Sequence, residues 1–135
     1  MKRGEIWMVD FGVPSGPEQA GEHPAIVLHD SALISALTTV IVLPLTTNLK
    51  RLALPTTRMI PAGEGGLKQD SGALCHQVQV RGKVRLLFRL DELSQERLSG
   101  IEQCLLDLPE VLADGQPSTA PADPLQSKIT DKFLL

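Results

Sequence analysis

Tyrosine is absent from this 135-residue chain, and aromatic residues make up only 3% of it. Trp7, Phe11, Phe88 and Phe133 are too few and too scattered to build the broad stacking platform that coats single-stranded nucleic acid. Cysteine is almost as scarce. Cys75 and Cys104 stand too far apart for a zinc knuckle or a disulfide framework, and read as buried free thiols of a reducing compartment. No apolar run approaches the roughly 18 residues needed to cross a bilayer. Met1-Lys2-Arg3 leads into Gly4-Glu5 rather than an apolar signal segment, so the expected location is the cytoplasm, with no membrane partner. Positive charge is not in excess either. A net charge of −3 argues against a wholesale electrostatic nucleic-acid binder, while leaving room for a local basic strip. The phosphate-binding GxxxxGK(S/T), the dinucleotide GxGxxG and the zinc-protease HExxH patterns are all missing.

What is present is ordinary globular composition, 42% hydrophobic and 21% charged, at a length that supports one core. Glu5 to Phe11 has the β-branched and aromatic content of a strand. Gly12 to His23 is rich in Gly and Pro and reads as a loop. Pro24 to Leu28 is expected to be a second strand, opened by a proline where a missing N–H is tolerated. Ser31 to Leu37 suits a short helical turn. Thr38 to Leu43, almost uninterrupted in apolar character, predicts a strand covered on both faces. Further strands are expected over Leu54 to Ile60, Gly72 to Val80 and Arg85 to Leu90. One helix follows, with Ser94 as N-cap and Leu98, Ile101, Leu105 and Leu108 as its apolar face, either limited by Pro109 or extended in frayed form through Val111 and Leu112. The order predicts a small, mainly antiparallel barrel with a helix appended.

Few residues in this pattern carry chemistry. His23 shares a Gly-rich loop with Glu18 and Gln19 and lies at the mouth of a strand, where a rigid sheet can hold a site. His29 has the default character of a surface or satisfied histidine. Cys75 and His76, adjacent on an expected strand, would point to opposite faces, and no His, Cys or carboxylate spacing suggests a metal. Gly63-Glu64-Gly65-Gly66 carries an acid and precedes no helix, which fits a tight turn better than a phosphate cradle. Arg81, Lys83 and Arg85 alternate, so an extended Val80 to Leu86 would present them as one basic strip. Such a strip either guards a sheet edge or meets phosphates.

Taken together, these segments resemble the MazF/PemK family of toxin endoribonucleases. Arg3-Gly4-Glu5-Ile6-Trp7 resembles the family opening RG(D/E)IW, and the stretch from Gly16 to Ala25 resembles its GxEQxGxRPA signature. Pro44-Leu45-Thr46-Thr47 resembles the P(L/I)T(S/T) strand end. Leu54-Pro55-Thr56, Gly65-Gly66-Leu67, Asp70-Ser71 and Gln77 follow in the family order, so the likeness runs from about residue 3 to 108. It implies an SH3-like antiparallel barrel of the CcdB/PemK kind and a homodimer. It also implies cofactor-free, metal-independent cleavage of single-stranded RNA, and a cognate antitoxin whose disordered acidic C-terminal segment blocks the RNA groove. DNA binding by the toxin alone is not implied. Carried onto this chain, the catalytic positions are His23, Thr46 and His76. Ser15, Glu18, Gln19, Gly21, Thr47, Asn48, Ser71, Gln77 and Arg81 would contact RNA. The GxEQxG loop sets the chain apart from the related barrel toxins that poison DNA gyrase.

The departures from the family pattern are specific. His23 stands where the family has an arginine, His76 where it has an acid, Gln79 where it often has arginine, and Phe88 where many members have glycine. Two guanidinium groups and a carboxylate are exchanged for two imidazoles and an amide. Histidine is shorter than arginine and titrates near neutrality, so the exchange either rebuilds acid–base chemistry on imidazoles or weakens the centre.

Beyond the toxin domain expected over 1–113, residues 114–135 are dominated by Pro, Ser, Thr and Asp and lack the apolar content to offset the entropy of ordering. Truncation after Ala113 is therefore expected to shift the melting temperature by less than about 4 °C, the scale of 1 kcal/mol for a domain of this size. A larger drop by calorimetry would mean that the tail docks.

Overall fold

The computed structural model describes residues 1–13, 21–29, 35–48, 50 and 54–114, with side chains described as far as residue 109. Its strands are β1 (Glu5–Asp10), β2 (Glu22–Val27), β3 (Thr39–Thr46), β4 (Thr57–Ile60), β5 (Ser71–Leu74), β6 (Gln79–Gly82) and β7 (Leu86–Glu92); one helix, α1 (Gln95–Asp114), follows. Every pairing is antiparallel, in the order β4-β5-β3-β2-β1-β7, with β6 also paired to β3. The architecture is the expected one, a mainly antiparallel β-structure with a C-terminal helix. The helical turn expected over Ser31 to Leu37 falls largely outside the described residues.

β3 organises the sheet. One of its edges pairs with β2; the other pairs with β6 over Thr39–Val42 and then with β5 at Leu45 and Thr46. Pro44, buried and lacking an N–H, occupies the interval between these two ladders, where no donor is required. Both faces of β3 are covered, as its near-continuous apolar sequence predicts. Val40 and Val42 pack with Val9, Phe11, Ala25, Val27 and Leu86 on one side, while Leu43 and Leu45 join Ile6, Ile26, Ile60 and the helix on the other.

β4 and β7, at the two ends of the order, are joined by packing rather than by a ladder. The turn at Glu64–Gly66 fills the space between them. Gly65 adopts φ +63°, and a Cβ there would collide with the Ile6 side chain; at Gly66, φ +76°, a Cβ would meet the Leu90 backbone at 3.2 Å. Glu64 fixes this turn to the helix, accepting from Ser94 Oγ at 2.8 Å and from Arg97 Nε at 3.0 Å. Ser94 is the N-cap the sequence suggests: its Oγ accepts from the Arg97 N–H at 3.2 Å. Leu98, Ile101 and Cys104 are buried, with Leu105 and Leu108 packed beside them. No helix among the described residues is long and apolar enough to cross a membrane.

Three local expectations are corrected, and the open alternative at the helix end is decided. Gly72 to Val80 is not one strand: β5 ends at Leu74, a 3-10 turn takes Cys75–Gln77, and β6 begins at Gln79. The exchange of partners along β3 forces the break, because the chain must move from beside one half of β3 to beside the other. β6 stops at Gly82 and Lys83–Arg85 forms a second 3-10 turn, so Arg81, Lys83 and Arg85 do not share an extended face. Pro24 is the third residue of β2, not its first. Its nitrogen falls on the β3 side, one residue beyond the last rung at Ala25, where its missing N–H costs no ladder bond. Pro109 lies inside α1, past the packed face, and the helix continues to Asp114.

A buried carboxylate secures β1 to β7. Glu5, 5% exposed, accepts from Arg89 Nε at 2.7 Å, Trp7 Nε1 at 3.2 Å and the Lys2 N–H at 2.8 Å. Burial alone would push this carboxyl up, but the Lys2, Arg89 and Trp7 donors outweigh it and hold the pKa below the usual carboxylate value. Its stabilisation is complete above the unfolded-state value of about 4.3 and is lost as pH falls through the lower folded-state value. Glu5→Gln is expected to cost about 2 kcal/mol at pH 7, the scale of charge-assisted hydrogen bonds lost from a buried acceptor. In thermal melts against pH, the difference between wild type and variant should narrow below about pH 4.

Candidate active site

The mouth of β2 is built by two glycines. Gly12 and Gly21 take φ +82° and +75°, and the Gly21 N–H donates to Gly12 O while its carbonyl accepts from the Phe11 N–H, each at 2.8 Å. This clamp closes the base of the β1–β2 loop. Ser15, Glu18 and Gln19, the loop residues expected at the site, lie outside the described residues. Gly21 is exposed at the loop base.

His23 follows on β2, half-buried and in register with Val9. The β2–β3 ladder ends by pairing Ala25 with Pro44; His23 and Thr46 each lie two residues beyond that rung on their own strands. Alternation then places both on the face that carries Ala25, Pro44 and Val42. Thr46 is buried, and its Oγ1 accepts from the Asn48 N–H at 3.1 Å. With that bond filling a lone pair, the hydroxyl proton is available to an acceptor outside the turn. Thr47 and Asn48 are exposed beyond it, and Asn48 Oδ1 accepts from the Lys50 N–H at 3.0 Å.

The other edge of β3 brings the second group. His76 and Gln77 sit in the 3-10 turn that packs against β3, β4 and α1. A 3-10 turn, not a strand, carries Cys75 and His76, which corrects the expectation of opposite strand faces. Cys75 is buried among the core residues while His76 stays partly exposed. His76 Nδ1 lies 2.8 Å from Thr56 Oγ1, and its Nε2 lies 3.5 Å from Gln77 Nε2. Gln79 Nε2 donates to Gln77 O at 3.1 Å, so this departure from the family pattern braces the turn. Thr56, to which the sequence assigned no role, is 7% exposed. The sequence expectation of a strand from Leu54 is also corrected, since β4 begins only at Thr57.

Ser71 is less available than expected. It is 3% exposed and donates from Oγ to Gln69 O at 3.0 Å at the start of β5. Arg81 is held over the Phe11 ring, 5.7 Å from its centroid, next to the loop base. Arg85 pairs with Asp10 at 3.4 Å and so offsets the like charges of Asp10 and Glu22, which face each other across β1 and β2. The basic residues are thus distributed around the loop base rather than aligned as a strip. Cys75 and Cys104 are free and buried; the neighbouring Cys104 thiol together with burial pushes the Cys75 thiol up, out of reach of ionisation. Among the described residues no group of three or more His, Cys, Asp or Glu side chains could hold a metal ion.

Comparison with known proteins identifies the fold and the family. The curated endoribonuclease EndoA of Bacillus subtilis strain 168 is 29% identical over 105 residues, covering 78% of this chain and 90% of its own length. A MazF crystal structure from Deinococcus radiodurans superimposes with a TM-score of 0.70 at 22% identity, over 82% of this chain and 96% of that one. A mycobacterial endoribonuclease solved with its cognate antitoxin gives a TM-score of 0.63 at 21% identity, over 87% and 98%. These structural likenesses establish the fold. The family model of the PemK-like, MazF-like toxins of type II toxin–antitoxin systems matches residues 2–108, most of the chain, and the protein belongs to that family.

Proposed function

We propose that this protein is a toxin endoribonuclease that cleaves single-stranded RNA at selected sequences without a metal ion, leaving 2′,3′-cyclic phosphate and 5′-OH ends. The observation that supports the reading is the β2–β3 ladder, whose last rung, Ala25 with Pro44, lies two residues from His23 on one strand and from Thr46 on the other, at the base of the GxEQxG loop. In such a cleavage the 2′-oxygen attacks phosphorus and the bond to the 5′-oxygen breaks. A base takes the 2′-OH proton, an acid returns one to the departing oxygen, and donors stabilise charge on the phosphoryl group. The Thr46 hydroxyl, with Asn48 already on its oxygen, is suited to donate to a phosphate oxygen. As imidazolium, His23 would stabilise phosphate charge and supply the leaving-group proton, while His76 would take the complementary role. Arg81 beside Phe11 would meet a neighbouring phosphate, and Gln77, Thr47 and Asn48 would help define the sequence that is cut.

The family supplies the setting: a homodimer in the cytoplasm, held in check by a cognate antitoxin. Exposed Val80, Val84 and Phe88 leave apolar surface that association would cover. Sedimentation at micromolar concentration is expected to give twice the 14.6 kDa monomer mass; a monomer alone would overturn the dimer.

The exchange of the family arginine for His23 favours a second reading, a weakened or inactive member that binds RNA or antitoxin without cutting. One experiment separates them. Purified protein in EDTA should cleave a long RNA with an optimum between about pH 6 and 7.5, the range in which histidine pairs exchange protons. His23→Ala should slow cleavage on the order of 100-fold with little change in RNA binding. If His23→Ala leaves the rate untouched while His23→Arg raises it, the imidazole has no catalytic part and the second reading holds.

A further inference from the structure

We propose that Cys75 and Cys104 are an oxidation site, a dithiol that closes to an intramolecular disulfide under hydrogen peroxide and so fastens the His76 turn to α1. The bond stands apart from the endoribonuclease reading; only its effect on cleavage rests on that reading.

The two cysteines come from elements that pack on each other. Cys75 opens the 3-10 turn Cys75–Gln77, and Cys104 lies on the buried face of α1, which packs against that turn. One carbonyl ties them together: Thr56 O accepts from the Cys75 N–H at 3.0 Å and from Cys104 Sγ at 3.9 Å. Cys75 Sγ donates to Ala73 O at 3.8 Å. Both belong to one core cluster, at 0% and 3% exposure, so neither meets a cysteine of another chain while the protein is folded. Each has the other as its thiol neighbour.

Their chemistry is unequal. Arg58, which pairs with Ala73 across β4 and β5, brings a guanidinium to this corner. The neighbouring Cys75 thiol and Arg58 favour the Cys104 thiolate and hold its pKa below the ordinary thiol value in spite of burial. Cys104 is therefore the first nucleophile. Its sulphur attacks one peroxide oxygen and the O–O bond breaks, giving a sulfenic acid and a hydroxide that takes the proton Cys104 released. The neighbouring Cys104 thiol is also the largest cause of the raised Cys75 value, ahead of burial, and that hindrance falls away once Cys104 is a sulfenic acid. The Cys75 sulphur then attacks the Cys104 sulphur, the S–O bond breaks, and the Cys75 proton leaves with the hydroxyl as water. Two thiols lose two electrons and two protons, and peroxide is reduced to two waters.

Hydrogen peroxide is little larger than water and reaches Cys104 when α1 opens locally from the sheet. A covalent bond is shorter than the spacing of two free thiols, so its formation draws Cys75 toward the helix. His76 is the next residue, and its Nδ1 lies 2.8 Å from Thr56 Oγ1. Moving the turn displaces this ring, and a thiol reductant returns it.

The test exposes the reduced full chain to a small excess of hydrogen peroxide under native conditions, then unfolds it in iodoacetamide. Mass spectrometry should show an unalkylated chain about 2 Da lighter, the loss of two hydrogens, with the Cys75 and Cys104 peptides joined after digestion. Dithiothreitol should restore both thiols. Cys75→Ala should stop at a Cys104 sulfenic acid trapped by dimedone, and Cys104→Ala should leave Cys75 reduced. In 15N-histidine-labelled protein the His76 signals, assigned by their loss in His76→Gln, should move on oxidation and return on reduction. RNA cleavage should fall about tenfold or more in the oxidised wild type, the scale of a displaced catalytic group, and stay unchanged in peroxide-treated Cys104→Ala. Two alkylated cysteines after peroxide, a disulfide between chains, or a bond that forms only in urea overturns the proposal; the wild-type masses decide this even where an alanine variant fails to fold. A disulfide that leaves the His76 signals unmoved overturns the fastening of the turn. Absence of cleavage by the reduced wild type counts against the ribonuclease reading alone, since the masses and the His76 signals still decide the switch.

Discussion

The arrangement depends on one strand changing partners. β3 has two edges, and along one of them it gives β6 its first half and β5 its last residues. A buried N–H in the interval between those ladders would be an unpaired donor, costing on the order of 1–3 kcal/mol. Pro44 removes the donor and so makes the change of partner possible. The segment joining β5 to β6 has to cross that interval, and it does so as the 3-10 turn that carries His76 and Gln77. On the opposite edge β2 pairs with β3 as far as Ala25 and Pro44, two residues short of His23 and Thr46. Two imidazoles from distant parts of the sequence are therefore brought to one strand, with Thr46 at its end.

Two carboxylates hold the seam of the barrel around this centre. Glu5 binds β1 to β7 from a buried position, and Glu64 binds the glycine turn to the start of α1. Both have their pKa lowered: burial pushes them up, and the hydrogen bonds from Lys2, Arg89 and Trp7 at Glu5, and from Ser94 and Arg97 at Glu64, outweigh it. Glu5 reinforces the β1–β7 ladder, whereas Glu64 works at a joint that no ladder closes. The glycines between β4 and β7 matter for the same reason, since Gly65 lets the turn lie directly on Ile6.

Much of this was legible in the residues. The apolar run of β3 announced a strand buried on both sides, and Ser94 with Leu98, Ile101 and Leu105 announced the helix and its packed face. The family motifs named His23 and Thr46 together, and the strands that carry them, β2 and β3, are neighbours in the sheet. What the sequence hid was where strands end. Gly72 to Val80 has the composition of one strand, and its interruption is dictated by β3, some thirty residues earlier, rather than by any breaker of its own. For the same reason alternation misled for Arg81, Lys83 and Arg85, whose period of two holds only while the backbone stays extended. Thr56 went unmarked because a threonine after proline is ordinary until a histidine twenty residues away is folded onto it.

The pairing of β1 with both β2 and β7 has a consequence for how the molecule comes into being. β1 meets β2 early in synthesis, but its other edge stays open, and Glu5 stays without Arg89, until Leu86–Glu92 has left the ribosome. Contacts of such long sequence separation form late and set the pace of folding. A nascent chain therefore cannot complete its sheet, and whatever depends on the paired β1 edge waits until β7 has been translated.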